Sequence, residues 1–196
     1  MKTRKLGEIE VSEIGMGCMA FSHGYGQIPA EDYSIEAIRN AQKHGCTLFD
    51  TAEVYSPGLS GIGHNERIVG KALRGVRDDV AIATKLFLGY GFGSVYGKVR
   101  EHLEDSLERL QTDWVDIYYL HRTGGASVEK VAEAMGRLID DGLIRGWGLS
   151  QVDVDAGCCP ARSPRRRNLR ATTTCATGCR SSRNRTLRAI SPSSIC

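Results

Sequence analysis

Short apolar runs alternate with longer amphipathic stretches along residues 1–155. Two short runs around Leu6 and Ile9 flank Gly7-Glu8, which predicts a β-hairpin at the start of the chain. Apolar runs that end near residues 16, 50, 85, 121 and 150 predict five further strands. Between these runs, apolar residues recur every three or four positions and predict four helices, beginning near residues 30, 65, 94 and 127.

Polar residues indicate where the helices begin. Asn65, Ser94 and Ser127 each precede an amphipathic stretch, and we expect their side chains to cap the first turn. The apolar residues of the third helix fall on one side, and the opposite side is predicted to be a solvated surface. That predicted outer surface consists of Lys98, Arg100, Glu101, Glu104, Glu108 and Arg109.

The predicted strand ends follow one another at nearly constant intervals of 34, 35, 36 and 29 residues. Short apolar strands joined through helices pair in parallel by right-handed crossovers. This spacing matches the βα unit of an (α/β)8 TIM barrel, which needs roughly 250 residues. The sequence therefore predicts an α/β chain that forms a partial TIM barrel of about five strands and four helices.

A doubly wound sheet is the alternative fold. Its phosphate-binding turn requires the G-x-G-x-x-G spacing. Neither Gly15-x-Gly17 nor Gly89-x-Gly91-x-Gly93 has that spacing, so the glycine-rich loops do not favour this alternative.

The composition divides the chain near residue 155. The whole sequence is 41% hydrophobic and 25% charged, which is typical of soluble globular proteins. No apolar run is long enough for a membrane span, and no secretion signal opens the chain, so we expect a cytoplasmic protein. Residues 156–196 contain nine Arg, no acidic residue and no aromatic residue. We expect residues 1–155 to form the barrel part and 156–196 to be a disordered Arg- and Cys-rich tail.

The tail has several possible interpretations. Its basic RSPRRR cluster is a pattern of nucleic-acid binding, but no aromatic residue accompanies it to stack on bases. Zinc binding would need paired cysteines, and neither Cys158-Cys159 nor Cys175-x-x-x-Cys179 has the C-x-x-C spacing. A disulfide framework conflicts with a reducing compartment. We favour the hypothesis that the tail is an out-of-frame or truncated sequence and expect no nucleic-acid or membrane partner.

Polar residues follow the predicted strands at one end. Asp50, Lys85, His121 and Ser150 come directly after four of them, and Tyr55 lies five residues past Asp50. In a parallel barrel these positions share one mouth, where catalytic residues of that fold are found. Taken singly, each residue also has a structural explanation as a helix cap, an ion-pair partner, a surface group or a core group.

Together these residue types suit one kind of chemistry. A tyrosine is a weak acid, with an ordinary pKa of about 10, and a nearby ammonium such as that of Lys85 favours its ionised form. The carboxylate of Asp50 can keep Lys85 charged and oriented. An imidazole such as that of His121 can donate an N–H to a carbonyl oxygen. Together, these four groups can donate a proton to a carbonyl as it is reduced to an alcohol.

The same residues belong to longer motifs, which read DTAEVYSPGLSGIGHNERIVGKAL, VAIATK, DIYYLHR and IRGWGLS. With the opening RKLGEIEVSEIGMGCMAFSHGYG, they resemble the NADP-dependent aldo-keto reductases, closest to short-loop members of bacteria and plants. The resemblance covers residues 2–155. It implies hydride transfer from a reduced nicotinamide to a small aldehyde or ketone, without a metal.

The resemblance also implies a role for each residue at the mouth. Tyr55 is the expected general acid, Lys85 with Asp50 tunes it, and His121 orients the substrate carbonyl. When NADP is bound, its nicotinamide ribose is expected to lie near Asp50. The nicotinamide carboxamide is expected at Ser150 and Gln151.

The family pattern ends near residue 155, which leaves an alternative function open. With five strands, the barrel interior faces water and the outer strands lack partners, so we expect poor folding in isolation and weak NADP(H) binding. The alternative is therefore an inactive truncated form or pseudo-enzyme of such a reductase.

Overall fold

The computed structural model describes residues 1–24, 26–58, 61–89, 94–122 and 127–151 of the chain. Elements are numbered in chain order within these residues. The strands are β1 (Thr3–Leu6), β2 (Ile9–Ser12), β3 (Met16–Gly17), β4 (Leu48–Asp50), β5 (Ala81–Phe87), β6 (Val115–Arg122) and β7 (Ile144–Gln151). The helices are α1 (Glu31–Lys43), α2 (His64–Leu73), α3 (Val95–Leu110) and α4 (Val128–Asp140), with 3₁₀ turns at Met19–Phe21 and Arg77–Asp79.

The sheet has the topology of a barrel segment. Five strands pair in the order β3-β4-β5-β6-β7, and every pair is parallel. Spatial order therefore equals chain order, whereas a doubly wound sheet reverses its order at a switch point. The partial (α/β)8 barrel is confirmed, and the doubly wound alternative is wrong.

The two faces of the sheet are covered differently. On the outer face, Phe49, Ile82 and Tyr118 are buried in the main core together with apolar residues of the four helices. On the inner face, Ala83 and Ile117 form a smaller cluster with residues of the β1–β2 hairpin. Because side chains alternate along a strand, successive residues of β5, and likewise of β6, point to opposite faces of the sheet.

The N-terminal hairpin closes one end of the inner face. β1 and β2 pair antiparallel, with Leu6 opposite Ile9, as the Gly7-Glu8 turn predicted. Ile9 and Val11 are buried against the smaller cluster. Ser12 and Thr47 exchange hydrogen bonds of 2.7 and 2.9 Å between side chain and backbone, which ties the hairpin to the approach of β4.

Two of the three predicted helix caps are confirmed. Ser94 accepts from the N–H of Gly97 at 3.4 Å, and Ser127 accepts from the N–H of Lys130 at 3.5 Å. The prediction that Asn65 caps α2 is wrong, because Gly63 occupies that position at φ 74° and the side chain of Asn65 is hydrogen-bonded elsewhere.

A buried carboxylate organises the opposite end of β5. Asp116 accepts from the N–H of Ile82 at 2.9 Å and is 1% exposed. Its two oxygens also face Arg77 at 2.9 Å and Arg145 at 3.1 Å. Three hydrogen bonds compensate the desolvation of this carboxylate, so it stabilises the start of the strand.

Four of the five parallel strands extend one or two residues beyond their predicted ends, and β4 ends at the predicted residue. Asp50 is the last residue of β4, and Lys85 lies inside β5, opposite Tyr119 of β6. Residues 121 and 150–151 likewise belong to β6 and β7. Apart from Tyr55, which lies in the loop after β4, the predicted site residues therefore sit on hydrogen-bonded strands, which hold side chains more rigidly than loops do.

The predicted tail over 156–196 lies outside the described residues, so its disorder stays a prediction. In the part of the chain that the structure describes, no helix has both the length and the apolar character needed to cross a bilayer.

Candidate active site

Asp50 and Lys85 form an ion pair at the carboxyl ends of β4 and β5. The Lys85 Nζ lies 2.5 Å from Asp50 Oδ1 and donates a second hydrogen bond of 2.7 Å to the carbonyl oxygen of Thr51. The lysine side chain is 9% exposed and the aspartate 20%. Two acceptors from one strand end therefore fix the ammonium in position.

Burial and charge act in opposite directions on Asp50. Desolvation raises the pKa of its carboxyl above the ordinary value, and the neighbouring Lys85 opposes that rise through its charge and its hydrogen bond. Lys85 therefore stabilises the ionised form of Asp50.

Tyr55 lies in the loop between β4 and α2 and turns its ring toward this ion pair. The Lys85 Nζ is 4.8 Å from the centre of the Tyr55 ring, and the tyrosine is 8% exposed. The backbone holds it on both sides, because its N–H donates to Ala52 at 3.2 Å and its carbonyl accepts from Asn65 at 3.2 Å.

His121, near the end of β6, completes the group. Its ring centre lies 5.8 Å from that of Tyr55, and the two planes meet at 86°. Burial, together with the nearby positive charges of Lys85 and Arg122, lowers the pKa of His121 to about 4. The imidazole is therefore neutral at pH 7, and within the described residues its buried Nδ1 has no hydrogen-bond partner.

Ser150 and Gln151 lie at the same end of the sheet, on β7. Gln151 is in register with Arg122 of β6, and both Ser150 and Gln151 are exposed. The structure thus brings Asp50, Tyr55 and Lys85 together with His121, and it places Ser150 and Gln151 on the neighbouring strand end.

Cys18 is buried beside the ion pair. Its N–H donates to the carbonyl of Asp50 at 2.8 Å, and its side chain is fully buried. Burial, with the charge of Asp50, raises the pKa of this thiol, so it is a packing group rather than a nucleophile. Among the described residues, no group of three or more His, Cys, Asp or Glu is arranged to hold a metal ion.

A hydrogen-bond network around Asn65 supports the tyrosine loop, and the sequence did not reveal it. Asn65 is fully buried; it accepts from Thr51 at 2.6 Å and donates to the Cys18 carbonyl at 2.8 Å and to Ser22 at 2.7 Å. Ser22 also pairs with Nδ1 of His64 at 2.9 Å. The carboxamide is thus used to join three segments, and it is not free to cap α2.

A second buried network was also missed. Arg109 was predicted on a solvated helix surface, but its side chain is only 15% exposed, and it lies between Glu53 and Glu66. These carboxylates are 4% and 0% exposed. The prediction is wrong for Arg109, because the loop after β4 covers that side of α3. Helical periodicity alone does not reveal such a covering loop.

Comparison with known proteins decides the family. The model of the aldo/keto reductase family matches residues 13–158. The chain belongs to the aldo/keto reductase family. It is 39% identical to aldo-keto reductase YhdN of Bacillus subtilis over 155 residues, covering 75% of this chain and 45% of that protein. It is 35% identical to methylglyoxal reductase YeaE of Escherichia coli, covering 75% and 48%.

Solved structures show the same fold. An aldo/keto reductase from Klebsiella pneumoniae, in complex with NADP and acetate, is 34% identical with a TM-score of 0.66, covering 80% of this chain and 52% of that one. The holo form of an aldo-keto reductase from Bacillus halodurans is 33% identical with a TM-score of 0.66, covering 78% and 51%. This aldo/keto reductase chain spans about half the length of the curated relatives it matches.

Proposed function

We propose that this chain carries the proton-donating centre of a carbonyl reductase, in which Tyr55 protonates an aldehyde or ketone oxygen. The carbonyl is reduced to an alcohol. The observation that supports the proposal is the convergence of a phenol, an ammonium, a carboxylate and an imidazole at one end of the sheet. Membership of the aldo/keto reductase family agrees with it.

We propose NADPH as the reductant, since the Klebsiella pneumoniae relative was solved with NADP. The exposed side chains of Ser150 and Gln151 offer a hydroxyl and a carboxamide, which suit the amide group of a nicotinamide. Asp50, at the same mouth, would lie near the ribose. When bound, the nicotinamide supplies the hydride that adds to the carbonyl carbon.

The chain's own residues would handle the proton. Tyr55 donates its phenol proton to the carbonyl oxygen as that oxygen gains negative charge. Lys85, 4.8 Å from the ring centre, stabilises the negative charge left on the phenol oxygen. Asp50 and the Thr51 carbonyl hold Lys85 in that position.

His121 would orient the substrate. A neutral imidazole carries one N–H, which can donate to the carbonyl oxygen without competing with Tyr55 as an acid. The lowered pKa of His121 keeps it neutral through the physiological range. The substrate would then be held with its oxygen between the phenol and the imidazole.

NADPH consumption with 4-nitrobenzaldehyde tests the proposal. We expect the wild-type chain to oxidise NADPH and Tyr55→Phe to lose about 10²- to 10⁴-fold in rate, since a general acid contributes that much. A Tyr55→Phe variant as active as the wild type would exclude Tyr55 as the proton donor.

A second candidate is a catalytically inactive form of such a reductase. The described sheet has five parallel strands, and the chain spans about half the length of its relatives. A parallel sheet normally has both faces covered, and unpaired outer strands favour self-association. The same assay separates the two: equal background NADPH loss in wild type and Tyr55→Phe supports the inactive form.

A further inference from the structure

Arg109 on α3 connects two buried carboxylates that flank the loop bearing Tyr55. Its Nε lies 2.6 Å from Glu66 Oε2, and its Nη2 lies 4.0 Å from Glu53 Oε2. His102, two turns earlier on the same face of α3, also approaches Glu53 Oε2 through Nδ1 at 2.8 Å. We call Arg109, Glu53, Glu66 and His102 the Arg109 cluster. Removing these charged side chains from water costs free energy, which only well-placed hydrogen-bonding partners of opposite charge can offset.

Both carboxylates of the Arg109 cluster contact β5, on either side of Lys85. Glu66 Oε1 accepts from the hydroxyl of Thr84 at 2.6 Å. Glu53 Oε1 accepts from the N–H of Phe87 at 2.5 Å. The cluster is therefore attached to the strand that carries the ammonium, one residue before it and two residues after it.

The cluster also holds the loop that carries the phenol. Glu53 lies two residues before Tyr55, and its carbonyl accepts from the N–H of Gly63 at 2.6 Å. Gly63 has φ 74°, and a Cβ added there would lie 1.9 Å from Cδ of Arg109. Arg109 thus lies directly against the end of the loop, where only glycine leaves it room.

We propose that Glu53 and Arg109 are positioning residues that set the placement of the Tyr55 ring relative to Lys85. Within the described residues, neither side chain is hydrogen-bonded to the phenol or to the ammonium; they act through the loop and through β5. The effect on catalysis rests on the proposed function, but the effect on geometry does not.

The chain contains a matched control for this cluster. Asp116 is also a buried carboxylate that accepts a β5 N–H and faces two cations, but at the opposite end of the strand. Glu53→Gln and Asp116→Asn each remove one buried negative charge and keep an oxygen for the backbone N–H. Both variants are expected to lose stability, and only Glu53→Gln should disturb Tyr55.

Fluorine NMR of the full chain, with 3-fluorotyrosine in place of its 7 tyrosines, reads the surroundings of each ring. The Tyr55 resonance is assigned by its disappearance in Tyr55→Phe. We expect Glu53→Gln to shift or broaden that resonance and to leave the resonance of exposed Tyr33 unchanged. Asp116→Asn should leave both at their wild-type positions.

The inference is overturned if folded Glu53→Gln keeps the wild-type Tyr55 resonance, or if Asp116→Asn moves it as much. Circular dichroism shows whether each variant is folded. If Glu53→Gln is not folded, Arg109→Lys replaces it and is expected to shift or broaden the Tyr55 resonance, because lysine keeps the charge and lacks the fork that spans both carboxylates. An unchanged Tyr55 resonance in folded Arg109→Lys would overturn the inference.

Kinetics add a second readout. Glu53→Gln should lower kcat about 10- to 100-fold with KM nearly unchanged, because a misplaced acid slows the chemical step. Asp116→Asn should keep the wild-type kcat at temperatures where it is folded. If the wild type does not reduce carbonyls, the proposed function fails, whereas the NMR comparison still decides the positioning role.

Discussion

The ring of Tyr55 meets the imidazole of His121 edge to face, with their centres 5.8 Å apart. The two residues come from different elements, one from the loop after β4 and one from the end of β6. Their approach places a phenol and a neutral imidazole beside the ammonium of Lys85. A carbonyl oxygen that reaches the phenol would therefore also be near the imidazole.

The Asp50–Lys85 pair predicts a large loss of stability when only one partner is removed. Lys85→Met leaves the carboxylate of Asp50 without its cation, and because that carboxylate is 20% exposed we expect a loss of about 3 kcal/mol, toward the lower end for buried pairs. Urea unfolding measures the loss. Asp50→Asn combined with Lys85→Met should recover part of it, and a double variant less stable than Lys85→Met would argue against the pairing.

His121 predicts a pH dependence of stability below neutrality. Its pKa is about 4 in the folded chain, below the ordinary value near 6.5, so the unfolded chain binds the proton first as pH falls. Stability should therefore decrease between about pH 6.5 and pH 4. Urea unfolding of His121→Gln should show a shallower decrease. A wild-type slope in His121→Gln would contradict the assignment.

His102 predicts the opposite dependence. The hydrogen bond to Glu53 raises the pKa of His102, with further contributions from the charges of Glu53, Asp105 and Glu101, and burial opposes the rise. Its contribution is complete below the unfolded pKa near 6.5 and is lost as pH rises through the folded pKa. The stability difference between wild type and His102→Gln should be larger at about pH 6 than at about pH 8. A stability difference that does not change with pH would show that His102 is not protonated in its hydrogen bond to Glu53.

Gly63 and Gly75 have similar positive φ angles but differ in the space around them, so alanine substitutions there distinguish backbone strain from steric crowding. Gly75 has φ 87° and open space around a Cβ, so Gly75→Ala should cost about 1 kcal/mol of backbone strain. Gly63, at φ 74°, is crowded by Arg109, and Gly63→Ala should cost about 1 to 3 kcal/mol more through overpacking. Thermal unfolding of both variants checks the difference. Equal costs would mean that Arg109 moves aside freely.

The periodicity of the chain was sufficient to predict the helices, the parallel strands and the strand ends that carry the candidate site. It predicted Lys85 and His121 at one mouth, because the carboxyl ends of parallel strands meet there. It did not predict Asn65 or Arg109 correctly. Their partners depend on how the loop after β4 folds over α2 and α3, and a loop path of this kind has no repeating pattern in sequence.

Single-turnover oxidation of NADPH in the presence of 4-nitrobenzaldehyde tests whether Tyr55 donates the proton to the carbonyl oxygen. Three proteins are compared: wild type, Tyr55→Phe, and Tyr33→Phe, which removes a hydroxyl from an exposed tyrosine on α1. We expect Tyr33→Phe to match the wild type and Tyr55→Phe to be slower by about 10²-fold or more. Equal rates in all three proteins would contradict this expectation.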